Sequence, residues 1–149
     1  MSARGHNVLF VVPTNTLVEK FKGNGSATTL NKFFGISVGE EKLSKFDHSQ
    51  YNVIVFDEIY FSDLYFLHHI KHFVEQNQHK IIIATGDTCQ LKPIKDLTNI
   101  HDYRQYADHC INTIFSASIY LRENKRLKTD EDRQTLKQLK VDIFENNLK

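Results

Sequence analysis

Apolar residues in this chain gather in short continuous runs separated by longer mixed and charged stretches. Val8–Val12, Val53–Phe56 and Lys80–Thr85 are runs of this kind. Runs without polar alternation predict strands covered on both faces, the pattern of a parallel sheet. Ser118–Leu121 predicts a shorter fourth strand. The intervening stretches predict helices. Thr16–Phe21 and Thr28–Phe34 give two short ones, parted by the turn-forming Gly23-Asn24-Gly25-Ser26. Ser62 is the expected cap of a longer helix reaching about Gln76, with Leu64, Leu67, His68, Lys71 and Val74 along related faces. After Thr129, acidic Asp130-Glu131-Asp132 suits a helix N-terminus, and Leu136, Leu139 and Ile143 supply an apolar stripe. Lys95–Asp108 is polar and reads as a loop or a short helix, and no internal repeat or low-complexity tract occurs. Strands and helices alternate, so the expected class is α/β.

Two of the apolar runs end in groups that can do chemistry. Val53-Ile54-Val55-Phe56 leads straight into Asp57-Glu58, and the carboxyl ends of strands are where open α/β sheets place their sites. In nucleotide hydrolases the first such carboxylate helps hold Mg²⁺ and the second orients the attacking water. An ordinary acidic strand end is the plainer reading. The run at Ile81-Ile82-Ile83-Ala84-Thr85 ends in Gly86-Asp87-Thr88-Cys89-Gln90-Leu91-Lys92-Pro93. A glutamine here can hydrogen-bond a terminal phosphate or a water without adding charge. Gly86-Asp87 also has the composition of a simple turn.

Taken together, these segments resemble the first motor domain of superfamily 1 helicases, whose acidic strand end is followed by a glycine-aspartate-x-x-glutamine motif. Val8-Leu9-Phe10-Val11-Val12-Pro13-Thr14-Asn15 is similar to the family's strand and loop that touch single-stranded nucleic acid. Thr28-Thr29-Leu30-Asn31-Lys32-Phe33-Phe34 resembles the threonine-rich helix start that follows it. Leu121-Arg122-Glu123-Asn124-Lys125-Arg126 is similar to the segment whose arginine reaches the terminal phosphate. The Pro-Thr-Asn and Leu-x-x-Asn-x-Arg segments point to the RecD-like branch. The motifs run in family order from Val8 to Arg126. The resemblance implies a partial RecA-like parallel sheet over residues 1–126, with 127–149 as the start of a second motor domain or a C-terminal helix. It also implies a site in which Asp57 binds Mg²⁺, Glu58 activates water, Gly86, Asp87 and Gln90 face the nucleotide, and Arg126 stabilises charge on the ATP phosphates. Pro13, Thr14, Asn15, Thr28 and Thr29 would then contact single-stranded DNA or RNA.

The sequence departs from the family at several places. Lys92 stands where the family loop has a proline, and Asn31 where a histidine is common. More consequential, the 149 residues contain no glycine-rich phosphate loop ending in Lys-Ser or Lys-Thr. Such a loop aims backbone N–H groups and a lysine at the β- and γ-phosphates. By family order it belongs before Met1, and Ser2-Ala3-Arg4-Gly5-His6-Asn7 looks like the turn that follows the phosphate-loop helix. The expectation is a chain that starts inside a motor domain, with the missing strand placed centrally beside the acidic strand. A protein segment supplying that strand and loop is the implied protein partner.

Composition fits one globular body. Of 149 residues, 40% are apolar and 25% charged, and there are eleven Phe and six Tyr but no Trp. The formal charge of +1 gives no general attraction to nucleic acid, so binding must rest on local groups. Cys89 and Cys110 lack a C-x-x-C partner and suit reduced thiols. No run has the length of a membrane span. An intracellular setting is expected, whether cytoplasm, nucleus or viral replication site.

Local alternatives accompany the family reading. Hydroxyl and amide groups at Pro13-Thr14-Asn15 and Thr28-Thr29 can hold phosphates without reading sequence, and Lys32 can add a charge. Asn15 or Thr16, and Thr28 or Thr29, are equally ordinary helix caps. Phe33 and Phe34 can stack on a base or join a core. His68, His69 and His72 cluster on one expected helix, but nothing in the sequence completes a zinc set, so a solvated or packed face is the reading. Three functions follow: the central fragment of an ATP-dependent helicase, not active alone; a non-hydrolysing remnant that binds nucleic acid or protein; and a metal-dependent nuclease using Asp57, Glu58 and Asp87.

Overall fold

Val53–Phe56 forms strand β3, and all four of its residues are buried. The structure is a computed structural model that describes residues 5–21, 25–37, 39, 43–88, 100–121, 127 and 129–146. Contacts divide the chain into two compact units, Met1–Lys95 and Asp96–Lys149.

In the first unit, β1 (Val8–Val12), helix α1 (Asn15–Lys20), β2 (Ser26–Thr29), helix α2 (Leu30–Phe34), β3, helix α3 (Leu64–Gln76) and β4 (Ile81–Ala84) follow in order. The strands form one parallel sheet in the order β2-β1-β3-β4. Val8 lies opposite Val53, and Val53 opposite Ile81, so the three longest apolar runs sit in register. This is the expected α/β class: a parallel sheet flanked by helices, consistent with a partial RecA-like sheet.

The core explains why β1 and β3 match their apolar runs residue for residue. Leu9, Val11, Val12 and Ile54 have no solvent exposure, as strands covered on both faces require. On one face, α2 and α3 meet over the sheet. Phe33 packs edge-on to Phe56 at 5.7 Å and to Phe73 at 5.0 Å between ring centroids. Phe10 and Phe21 stack at 4.4 Å elsewhere in the unit. Phenylalanine does the space-filling here in the absence of tryptophan, and T-shaped pairs of this kind add to plain burial.

Several sequence expectations need correction. The acidic strand β3 has β1 on one side and β4 on the other. No further strand can lie beside it; the order leaves only the outer edges of β2 and β4. β4 itself alternates, with Ile81 53% and Ile83 37% exposed, so its apolar run is not covered on both faces as expected. Thr28 and Thr29 belong to β2 and pair with Val11 and Val12. The helix begins only at Leu30. Successive β-branched threonines suit a pleated strand better than a helical turn.

Helix α3 is capped by Asp63, whose carboxylate accepts from the Phe66 N–H at 2.9 Å, and Ser62 is buried instead. Its buried stripe is Leu67, Ile70 and Phe73. Leu64 and His68 are exposed, and Lys71 pairs with Glu75 at 2.9 Å on the solvent side.

In the second unit, α4 (Ile100–Ile114) replaces the expected loop or short helix with a full 15-residue helix. Ala107 is completely buried, and Cys110 is a half-buried free thiol. Helix α5 (Asp130–Asn146) starts as expected: the Thr129 hydroxyl accepts from the Asp132 N–H at 3.1 Å, and Arg133 bridges Asp130 and the Leu127 carbonyl. Ser118–Leu121 is not a strand. It belongs to no regular element, pairs with no described strand, and leaves Ile119, Tyr120 and Leu121 78% or more exposed.

Candidate functional site

Because all four strands are parallel, their carboxyl ends share one rim of the sheet. The loops that leave β1, β3 and β4 there are joined by backbone hydrogen bonds. The Asp57 N–H donates to the Val11 carbonyl at 2.9 Å, extending the ladder past the end of β3. The Thr85 N–H donates to the Phe56 carbonyl at 2.9 Å, and the Ile59 N–H donates back to the Thr85 carbonyl at 2.9 Å. A side-chain bond completes the clasp, with the Thr85 hydroxyl donating to the Asp57 carboxylate. Asp57, Glu58, Gly86 and Asp87 are thus brought together on one rim.

Glu58 carries the local strain. Its φ of 57° and ψ of 45° put it in the left-handed region, where it is the one non-glycine residue among those described. For an L-residue this conformation costs about 1–2 kcal/mol. It is held from both sides: Asp57 is fixed to β1, and the next residue, Ile59, is buried and bonded to Thr85. The turn sends the chain into a short 3₁₀ turn, Ile59–Phe61.

Gly86 is needed here for close approach rather than for turn freedom. A Cβ at this position would lie 2.9 Å from the Tyr60 ring and 3.3 Å from the Ile59 backbone nitrogen, and its φ is not among the positive ones. Any larger residue would push the β4 loop away from the Glu58 turn.

On the β1 side, Thr14 caps α1, its hydroxyl accepting from the Leu17 N–H at 3.3 Å. The cap is neither Asn15 nor Thr16, both of which are exposed. Pro13, Thr14 and Leu17 from this loop, with Glu58 and Phe61 from the β3 loop, line a pocket of about 150 Å³. Sequence reasoning passed over Phe61, Leu17 and Thr85. An aromatic residue three places after Glu58 and a hydroxyl directly after β4 were the available signals.

The second pair of threonines is differently placed. Thr29 caps α2, accepting from the Lys32 N–H at 3.3 Å, and is only 9% exposed. Thr28 is 4% exposed, and its hydroxyl has no hydrogen-bond partner among the described residues. Phe33 is core, and Phe34 is half-buried against Phe56 and His69. His68 and His72 are exposed on α3, with a His72 ring nitrogen 3.1 Å from the Gln76 amide. No group of three metal-ligating side chains occurs among the described residues. Gln90 and Arg126 lie outside the described residues.

The Asp57 carboxylate suits a divalent cation of the Mg²⁺ type. Such an ion takes one or two protein carboxylates, keeps several waters and completes its shell from phosphates. Asp57 offers one oriented carboxylate at the rim, fixed by Thr85 and with capacity left on its oxygens. No described helix is long and apolar enough to cross a membrane.

No protein-family model matches the chain, and no curated protein matches it. Two solved structures are similar. One is a crystal structure of Bacteroides Pif1 bound to ssDNA, at 19% identity and a TM-score of 0.43, covering 71% of this chain and 27% of that one. The other concerns DNA unwinding at forked dsDNA by two coordinating Pif1 helicases, at 20% identity and a TM-score of 0.46, covering 72% and 28%. The chain spans little more than a quarter of the length of either structure it matches.

Proposed function

We propose that these residues form the central part of a superfamily 1 helicase motor of the RecD-like branch, which couples Mg-ATP hydrolysis to movement along single-stranded DNA or RNA. The observation that carries the reading is the clasp between the Asp57-Glu58 turn and the Thr85-Gly86 loop. It joins two motifs from distant parts of the sequence at the rim where parallel sheets do their chemistry. In this reading residues 1–126 belong to the first motor domain and 127–149 begin the second or form a C-terminal helix.

The residues divide the work as follows. Asp57 holds the metal, whose charge neutralises the phosphates when bound. Glu58 accepts the proton of the attacking water, held in place by its left-handed backbone turn. Asp87 and Gln90 take the role of contacting the phosphates, and Gly86 admits the close approach of the Ile59-Tyr60 turn to the start of the loop after β4. Arg126 stabilises charge as the terminal phosphate departs. Pro13, Thr14 and Asn15 meet the strand backbone, and Thr28 and Thr29 support them from within.

The 149 residues hold no Gly-Lys-Thr or Gly-Lys-Ser loop, so hydrolysis belongs to a motor completed by such a segment. The same observation favours a second reading, a non-hydrolysing remnant that binds single strands or a protein. Turnover by the purified chain with Mg-ATP and single strands tests the division of labour. Little stimulated hydrolysis is expected; robust turnover that disappears in Glu58→Gln overturns the assignment of the phosphate cradle to another segment.

A further inference from the structure

Helix α3 carries the chain from the carboxyl end of β3 back to the amino end of β4, so it runs away from the rim that holds Asp57 and Glu58. His68 and His72 stand on its middle turns, both exposed, and the function proposed above uses neither. Residues four apart on a helix are neighbours, with Cβ atoms about 5–6 Å apart. Two imidazoles at that spacing can reach one zinc ion at nitrogen–metal distances of about 2.0–2.1 Å.

The surroundings favour a cation. The His72 Nε2 atom lies 3.1 Å from the Gln76 amide nitrogen. An amide nitrogen only donates, so this Nε2 accepts, and its lone pair is the one a metal would take. Lys71 bonds Glu75 at 2.9 Å; that bond and charge, followed by the nearby His72 and His68 rings, hold the Glu75 carboxyl below its ordinary value. An ionised carboxylate thus lies near both imidazoles and offsets the lysine charge. His69, the third histidine of the cluster, packs against Phe34 and Tyr65 instead, at 5.4 and 4.6 Å between ring centroids.

Imidazole suits Zn²⁺ rather than Mg²⁺, and a closed zinc site has four ligands. The helix offers two, and no third metal-ligating side chain joins them among the described residues. The order of residues on the exposed stripe points to what supplies the others. Tyr65, His68, His72 and Glu75 are all exposed, and their spacing reads the same in both directions, three, four and three residues. A two-fold axis that sets two α3 helices antiparallel places His68 beside the partner's His72, twice, around one ion. The same axis places Tyr65, 56% exposed, beside the partner's Glu75, a hydroxyl donor against a carboxylate. Self-complementarity of this kind is what a two-fold interface requires.

We propose that His68 and His72 form half of a zinc site that joins two copies of this chain through their α3 helices. Sedimentation velocity of the purified chain with Zn²⁺, with Mg²⁺ and with EDTA tests it. The mass should double at one zinc per two chains, remain that of a monomer with Mg²⁺, and return to monomer with EDTA. Co²⁺ in place of zinc should give the strong visible bands of a tetrahedral site. His68→Ala and His72→Ala change exposed positions, so both should keep the helical circular dichroism while losing the dimer and the cobalt bands. His79→Ala, outside the stripe, should retain all three. A chain that stays monomeric with zinc, a pale octahedral cobalt spectrum, a dimer that EDTA leaves intact, or one that survives both histidine substitutions overturns the shared site.

Discussion

Two corners of the same sheet rim carry threonines drawn from neighbouring motifs, and they are built for different work. At the β1–β3 corner, Thr14 is exposed, Glu58 is strained and a pocket opens between them. At the β2 corner, Thr28 and Thr29 are buried, Thr29 capping a helix and Thr28 leaving its hydroxyl unpaired among the described residues. Residue type and motif membership therefore do not decide which groups can meet a ligand. What decides it is whether the strand ends at the rim facing solvent, as β1 does, or is sealed by the helix that follows, as α2 seals β2.

The comparison breaks most readily under substitutions that act at one corner only. In a motor completed with a phosphate loop, Glu58→Gln should lower hydrolysis by about 10²–10⁴-fold, the usual worth of a positioned general base, with strand affinity retained. Steady-state turnover and anisotropy on the same preparation check both halves; unchanged turnover would move Glu58 out of the chemistry.

Beneath the β2 corner, Phe33 joins α2, α3 and β3 through its contacts with Phe73 and Phe56. Phe33→Ala should therefore cost about 3–5 kcal/mol of folding stability, read from urea unfolding. A loss under about 1 kcal/mol would mean that the corner is far more loosely packed than its burial indicates.

At the same corner two small changes should have opposite signs. Thr29→Ala removes the α2 cap and should destabilise by about 1 kcal/mol. Thr28→Val keeps the shape and removes an unpaired buried hydroxyl, so it should leave stability unchanged or raise it by up to about 1 kcal/mol. Neither should alter strand affinity directly; a selective loss of binding in Thr28→Val with stability intact would place that hydroxyl on the ligand.

How much of this was legible in the sequence depends on whether the cause is local. β1 and β3 could be read to the residue because a strand buried on both faces must be continuously apolar, and both are. Acidic residues after β3 and a glycine after β4 likewise placed the rim. β2 was missed because Ser26–Thr29 has no apolar run, and its strand character comes from pairing with β1. The α3 stripe was read only in part: Leu67 was named and is buried, but Leu64 and His68 follow a helical spacing as well as Ile70 and Phe73 do, and packing against Phe33 and the sheet chooses the latter. The strain at Glu58 was invisible for a similar reason. It exists because Thr85, 27 residues later, bonds Ile59, and because Gly86 admits the Tyr60 ring.

The smallest expected effect concerns pH. His48 packs against Phe33 and Phe73, and burial, followed by the charge of Lys80, holds its imidazole below the ordinary value of 6.5. Lys45 acts in the same direction and Asp47 opposes it. The unfolded chain therefore binds this proton more readily than the folded one, so the stabilisation is fully present above about pH 6.5 and is lost as pH falls through the folded value. Urea midpoints should decline modestly between pH 7 and about pH 5, and His48→Phe should flatten the decline. An equal slope in the variant would assign the titration to another group.

The central claim, that the clasped Asp57-Glu58 turn and β4 loop form the metal and phosphate side of the site, is tested most directly by paramagnetic broadening of amide resonances with Mn²⁺ and ATP. The account predicts broadening concentrated at Asp57, Glu58 and Thr85–Asp87, and its loss in Asp57→Asn. Broadening centred elsewhere on the chain, or a pattern that Asp57→Asn leaves unchanged, would contradict it.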